Sequence, residues 1–251
     1  MDFFHLTPTQ WILAGFAAIS VGISKSGFGG VGILTVALMA ALMSGHERES
    51  TGVVLPLLIT GDLLATRAFR GHVRWPVLIR LLPPAMIGVC IGFFWMRGLS
   101  NTGFKPMIGW IVLALAALQF FRQIQPGIFQ TIPHRRDFAW AVGITAGITT
   151  MLANAAGPIM ALYFLAVQLP KLEFVATAAW YFLIVNLFKV PFSANLGFIR
   201  PESLLFNAAL IPLVALGIAS GRFFLHRLDQ KLFEQLLLGL IGLTALHLIF
   251  F

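Results

Sequence analysis

The stretch that decides the fold is GISKSGFGGVGIL, Gly22 to Leu34, in which glycines and a lysine interrupt apolar sequence. Its segment 27–32 matches the pattern G-x-G-x-x-G of dinucleotide-binding loops, and Glu47 stands where a ribose-binding acid is expected. That fingerprint requires a preceding strand within a soluble βαβ unit. Here it lies between Trp11–Ile23 and Val31–Met43, which are both apolar and of helix length. The nucleotide-binding interpretation is therefore rejected.

Composition places the chain in a membrane. Of its 251 residues, 59% are hydrophobic and 10% are charged, whereas a soluble domain is about 45–50% apolar and about 25% charged. Apolar runs of roughly 18 or more residues are typical of membrane spans, and the chain has several. The basic residues behind the net charge of +8 fall in short loops, where they orient a membrane protein. We predict an all-α polytopic membrane protein in contact with the lipid bilayer, with no nucleic-acid partner and no removable signal peptide.

An internal repeat divides the chain into two halves. The segment GHVRW at 71–75 resembles GFIRP at 197–201, a shift of 126, and the glycine-rich stretch around Gly30 resembles that around Gly157, a shift of 127. Repeats of this kind indicate that one structural unit is used twice. We predict an N-terminal segment 1–9, a first membrane repeat 10–121, a cytoplasmic interhalf loop 122–137 and a second membrane repeat 138–251.

Each repeat is predicted to be a broken-helix hairpin followed by three transmembrane helices. The breaks are predicted at Ser24–Gly30 and Leu152–Gly157, and the spans at about 51–69, 75–96, 104–121, 173–194, 203–224 and 233–251. Arms of about 13 residues beside each break would cover about 20 Å of a roughly 30 Å hydrocarbon core. Such arms favour a hairpin over a full crossing. Hairpins give two inverted-topology repeats, with most basic loops on one side, as the positive-inside rule expects.

The two breaks form the predicted substrate site. Inverted repeats with discontinuous helices are typical of transporters, whose sites lie near mid-membrane. Helices that start at the breaks would direct N-terminal amides and dipoles at a bound anion. The alternative is that the glycines only bend packed helices and that Lys25 snorkels to a headgroup. The predicted substrate-binding residues are Ser24, Lys25, Ser26, Gly27, Gly29, Gly30, Asn154, Ala156 and Gly157.

A second predicted feature is an ion pair inside the membrane. Asp62 and Lys189 are 127 residues apart and so occupy equivalent positions in the two repeats. Equivalent residues of an inverted repeat can meet near the pseudo-twofold axis, so we predict an Asp62–Lys189 pair. Either the pair couples substrate or protons, or it is structural only. Asn186 lies on the same helix face as Lys189, where it lines the same space or bonds a neighbouring helix.

Motifs for other chemistry are missing from the sequence. The single cysteine, Cys90, excludes an internal disulfide and a cysteine-based metal site, and the histidines have no metal-ligand spacing. No Walker loop, G-x-S-x-G or H-E-x-x-H motif is present. We therefore expect no metal, no cofactor and no enzymatic activity.

The sequence resembles the TauE/SafE-type sulfite exporters and related anion permeases. The resemblance rests on SKSGFGGVGILTVAL from residue 24, STGVVLPLLITGDLLA from residue 50, GHVRW, and the echo NAAGPIMALYF from residue 154, and it covers nearly the whole chain. It implies a secondary transporter of sulfite or an organosulfonate, and we expect alternating access in a bacterial inner membrane. A passive anion channel, a permease for a carboxylate, and an intramembrane enzyme or assembly factor are the alternatives. The direction of transport, the coupling ion and the oligomeric state stay open.

Overall fold

The computed structural model describes residues 6–28, 30–125 and 136–224, which form nine α-helices and no strand. Four of these helices, α3, α4, α8 and α9, are long and apolar enough to cross a membrane. The described part of the chain is therefore the all-helical polytopic membrane protein that was predicted. The helices are α1 (Pro8–Lys25), α2 (Val31–Leu42), α3 (Glu47–Ala68), α4 (Trp75–Gly98), α5 (Asn101–Ile124), α6 (Arg136–Ala153), α7 (Gly157–Ala166), α8 (Lys171–Asn195) and α9 (Pro201–Phe224).

The predicted spans agree with the observed helices to within a few residues. The predicted final span, 233–251, and residues 126–135 of the interhalf loop lie outside the described residues. At the amino terminus α1 begins at Pro8, inside the predicted N-terminal segment. A capping box starts it there: the Gln10 amide donates to Thr7 Oγ1 at 3.3 Å, and the Thr7 amide donates to Gln10 Oε1 at 2.8 Å.

Residues at equivalent positions follow the ends of the two broken helices α1 and α6. Gly27 has a φ of 109°, and Asn154, which is 127 residues later, has a φ of 53°. Residues that have a side chain rarely adopt positive φ, and glycine and asparagine are the residues that tolerate it best. Each break therefore contains a residue with positive φ at the equivalent position, a glycine in the first and an asparagine in the second.

Both broken segments fold back as hairpins, as predicted. Thr35 Oγ1 on α2 donates to the carbonyl oxygen of Ala17 on α1 at 3.5 Å, and the rings of Phe138 on α6 and Tyr163 on α7 stack at 5.7 Å. The predicted arm length is wrong for the first arms: α1 and α6 have 18 residues each and are about 27 Å long. They are longer than expected because each helix begins two or three residues earlier than predicted and continues almost to the residue with positive φ.

Helices from the two predicted repeats pack against each other, an arrangement that we call helix exchange. α1 packs closely against α9 of the second repeat, and α4 packs against α6 in the equivalent way. Glycines make both contacts close: a Cβ at Gly22 would lie 2.2 Å from the carbonyl oxygen of Val214, and one at Gly147 would lie 2.1 Å from that of Ala85. Small residues allow membrane helices to approach backbone to backbone.

The equivalent helices α3 and α8 cross at the centre with antiparallel directions. Gly52, near the start of α3, contacts Phe198, just beyond the end of α8. Farther along α3, Asp62 contacts Asn186, which lies earlier in α8. Equivalent membrane-crossing helices that pack in this way enter from opposite sides. The antiparallel register supports the inverted topology, which itself stays a prediction.

Replacing Gly147 by alanine is expected to destabilise the protein, because the new Cβ would meet the α4 backbone at 2.1 Å. Overpacking of this kind costs about 1–3 kcal/mol. The midpoint of thermal unfolding in detergent, followed by size-exclusion chromatography, should therefore fall. Gly98→Ala on α4, the helix that Gly147 contacts, is the control, since nothing lies within 4 Å of the Cβ that it adds. Equal midpoints for the two variants would contradict the close packing.

Candidate functional site

A cavity of about 60 Å³ lies where the two breaks come together. The first break contributes Ser24, Lys25 and Gly27 to its lining, and the second contributes Asn154 and Gly157. Residues that are more than a hundred positions apart thus line one cavity. The cavity is large enough to admit water or a small anion.

Aromatic side chains form much of the remaining wall. Phe164 of α7 and Phe174 and Phe182 of α8 line the cavity, and the rings of Phe164 and Phe174 meet edge to face with centroids 5.3 Å apart. Mostly apolar walls with a few convergent polar groups are typical of small-molecule sites. The polar groups therefore decide what can bind.

Lys25 is held inside the protein by Asp62. The Lys25 Nζ lies 2.7 Å from Asp62 Oδ1 and 4.7 Å from the centre of the Phe182 ring. The Lys25 side chain is 9% exposed and that of Asp62 is 0% exposed, so this lysine does not snorkel to a headgroup. A buried charge requires a partner of this kind.

The predicted Asp62–Lys189 ion pair is wrong, because each side chain turns toward the broken helix of its own repeat. Asp62 pairs with Lys25 at the end of α1, and its second carboxylate oxygen accepts a hydrogen bond from Asn186 Nδ2 at 2.8 Å. Asn186 Oδ1 accepts in turn from Lys189 Nζ at 3.4 Å. The amide of Asn186 therefore connects the two charges that were expected to meet directly.

Lys189 reaches the end of α6 in the second break. Its ammonium donates to Thr150 Oγ1 at 3.2 Å and to Asn154 Oδ1. This position is favourable because the last carbonyl groups of a helix carry partial negative charge. Lys189 is 1% exposed, so these contacts replace its hydration.

Comparison with known proteins identifies the family of the chain. The family model described as Sulfite exporter TauE/SafE matches residues 12–248 of the chain. The chain belongs to the TauE/SafE sulfite exporter family. No curated protein and no solved structure matches it. Membership implies membrane transport of sulfite or a related anion, and so a transporter rather than an enzyme.

Ser26 of this TauE/SafE protein does not face the cavity. Its hydroxyl donates to the carbonyl oxygens of Gly22 at 3.1 Å and of Ile218 at 3.4 Å. The side chain packs against α9 beside Gly221, whose missing Cβ leaves the necessary room. The prediction that Ser26 binds substrate is therefore wrong in this structure, because the packing of α9 against α1 places Ser26 against α9.

Two further predicted residues, Gly30 and Ala156, do not line the cavity, and a third cannot be placed. Gly30 and Ala156 are not among the described residues that line it, although both immediately precede a second arm. Gly29 lies outside the described residues. One of the N-terminal amides that were expected to face a bound anion forms a hydrogen bond within the first break instead: the Val31 amide donates to the Phe28 carbonyl oxygen at 2.9 Å.

The sequence prediction missed Thr150 and Phe182, both of which line the cavity. Each lies four residues before a predicted site residue: Phe182 precedes Asn186 on α8, and Thr150 on α6 precedes Asn154, which directly follows the end of that helix. Residues at this spacing share a helix face, so the spacing could have identified them. Among the described residues of this TauE/SafE chain, no cluster of His, Cys, Asp or Glu could hold a metal ion.

The Lys25–Asp62 pair predicts a specific pattern of rescue. Asp62→Leu leaves a buried cation without its partner, and breaking a buried pair costs about 3–5 kcal/mol. Adding Lys25→Met removes the unpaired cation and should recover most of the folded yield, measured by fluorescence-detected size-exclusion chromatography. Adding Lys189→Met instead is the matched control and should not. The reverse pattern, rescue through Lys189 only, would contradict the observed pairing.

Proposed function

We propose that the protein is a secondary transporter for a small, singly charged sulfur oxyanion, either hydrogen sulfite or an organosulfonate. The observation that carries this proposal is the buried charge beside the cavity. When all three groups are ionised, Lys25 and Lys189 supply two positive charges and Asp62 one negative charge. Uncompensated charge inside a membrane is costly. A monoanion in the cavity compensates the one remaining positive charge.

We propose that Lys25 contacts the anion, because it lines the cavity. Lys189 does not line the cavity itself but donates hydrogen bonds to residues that do. Asn154 has a different role. Its Nδ2 donates to the Thr51 carbonyl oxygen at 2.7 Å and its Oδ1 accepts from Lys189. This residue therefore positions the second break, and Gly157 and Asn186 supply the nearby hydrogen-bond donors for the anion.

Asp62 is proposed to couple the anion to a proton. An anion that binds Lys25 competes with the Asp62 carboxylate, which is 2.7 Å from the same ammonium. Once displaced, this carboxylate is buried with only the Asn186 amide at 2.8 Å to stabilise its charge. Protonation removes the cost of that buried charge, and it returns the loaded site to the single positive charge that the empty site carries. Anion and proton then cross together, which makes the protein an anion–proton symporter.

The proposed setting is a bacterial cytoplasmic membrane with the interhalf loop in the cytoplasm. The loop between α3 and α4 carries Arg70 and Arg74, and it lies at the same end of the crossing helices as the start of α8, since Arg74 contacts Glu173 there. A surplus of basic residues in short loops is typical of the cytoplasmic side.

Sulfite flux into proteoliposomes is the direct test of the transport proposal. We expect saturable flux that exceeds that of sulfate and acetate. The charge-neutral double variant Lys25→Met/Asp62→Leu should reduce it at least about tenfold, because a hydrogen bond to a charged group contributes about 1.5–3 kcal/mol. Arg70→Gln, which removes an exposed basic residue, is the control and should keep the flux. Non-saturating flux that ignores ion gradients would instead indicate a channel.

The stoichiometry of proton movement tests the role of Asp62. Methanesulfonate is the suitable probe, because sulfite itself binds protons near neutral pH whereas a sulfonate does not. We expect about one proton to enter with each methanesulfonate ion, since one carboxylate is displaced in each cycle. Entrapped pH-sensitive dye and radiolabelled methanesulfonate measure the two fluxes in the same vesicles. Methanesulfonate flux with no proton movement would show that Asp62 does not couple transport.

A further inference from the structure

We propose that the bodies that move against each other during transport are two bundles formed by helix exchange, and not the two sequence repeats. The first bundle contains α1, α2, α3 and α9, and the second contains α4, α6, α7 and α8. Each bundle therefore takes one helix from the other repeat: α9 joins the first and α4 joins the second. This inference rests on the transport function proposed above, because the cavity lies between the bundles.

Each bundle has a hydrophobic core of its own. Buried residues of α1, α3 and α9, such as Leu57 and Val214, form one cluster. Buried residues of α4, α6, α7 and α8, such as Val89 and Ala146, form the other cluster together with residues of α5, which contacts helices of both bundles and is assigned to neither. α2 contributes residues to both clusters. Close-packed cores resist deformation, so a boundary for movement lies between the two clusters rather than at the interhalf loop.

The helices that the repeats exchange are packed too closely to slide. A Cβ at Gly217 of α9 would lie 2.3 Å from the carbonyl oxygen of Ile19 in α1, and one at Gly88 of α4 would lie 2.2 Å from that of Ile144 in α6. The backbones are in direct contact at both places. We therefore treat α1 with α9, and α4 with α6, as parts of the same rigid body.

Two equivalent ion pairs fasten the exchanged helices. Arg74, which precedes α4, pairs with Glu173 in the first turn of α8, and Arg200, which precedes α9, pairs with Glu49 in the first turn of α3. The arginine side chains are 56% and 55% exposed, and both glutamates are 22% exposed. The two pairs thus have nearly the same solvent exposure and lie at opposite ends of the α3–α8 crossing. Each pair joins different repeats but stays within one bundle.

Hydrogen bonds join the two bundles beside the cavity. Asp62 of the first bundle accepts from Asn186 of the second at 2.8 Å, and the Thr51 carbonyl oxygen accepts from Asn154 at 2.7 Å. Water or a substrate oxygen can replace such contacts without leaving a void. The substrate site therefore coincides with the boundary at which the bundles separate.

Reversible crosslinking distinguishes moving bundles from moving repeats. In a Cys90→Ala background, the pairs Arg74→Cys/Glu173→Cys and Glu49→Cys/Arg200→Cys connect different repeats within one bundle. The pair Arg48→Cys/Leu99→Cys connects different bundles within one repeat, where Arg48 Nη1 lies 3.1 Å from the Leu99 carbonyl oxygen. A short bifunctional thiosulfonate bridges each pair, and a reductant releases it.

Sulfite flux in proteoliposomes is the first readout. Crosslinking either pair within a bundle should change the sulfite flux by no more than about twofold. Crosslinking the pair across bundles should lower the flux at least about tenfold, and reduction should restore it. Loss of flux from the first two bridges with none from the third would show that the repeats move as bodies. Equal effects of all three bridges would also overturn the proposal.

A second readout does not depend on transport, so it separates failure of this inference from failure of the proposed function. Spin labels at Arg67→Cys and Arg222→Cys report the distance between α3 and α9, within one bundle. Labels at Arg48→Cys and Arg97→Cys report the distance between α3 and α4, across bundles. Methanesulfonate should change the second distance distribution and leave the first unchanged. A change in the first alone, or in neither at a saturating concentration, would overturn the proposal.

Discussion

The buried ion pair between Lys25 and Asp62 is the interaction on which the rest of the structure depends. It lets α1 end inside the membrane with a charged residue, which without a partner would cost several kcal/mol. Because Asp62 lies on the central helix α3, the same pair anchors the first break to the α3–α8 crossing. The position of Lys25 beside the cavity follows from this one contact, and the proposed competition between carboxylate and substrate depends on it.

The architecture is symmetric, whereas the chemistry is not. Gly27 and Asn154 occupy equivalent positions and both have positive φ, but only the asparagine has a side chain, which contacts Lys189. Asp62 and Lys189 are likewise equivalent in sequence and opposite in charge. One break therefore presents a lysine to the cavity and the other presents an amide and helix-terminal backbone groups. This asymmetry is why we propose a single site with one net positive charge rather than two equal sites.

The features that sequence predicts well here are local ones. Hydrophobic length, glycines and prolines mark the spans and breaks, and these agree with the observed helices to within a few residues. The partner of Asp62 could not be predicted, because the repeat places residue 62 on a helix without showing which way its side chain turns. Ser26 was misassigned for a related reason: its contact with Ile218 depends on helix exchange, and no short-range pattern reports which repeat supplies a neighbouring helix.

Calorimetric titration of the purified protein with sulfite, near neutral pH in detergent, tests the central claim most directly. The claim is that an anion binds at Lys25 between the two breaks. One sulfite should bind per chain, and the charge-neutral variant Lys25→Met/Asp62→Leu should bind at least about tenfold more weakly, which corresponds to about 1.4 kcal/mol. Equal affinities of the folded variant and the unmodified protein would show that the anion binds elsewhere and would contradict the account.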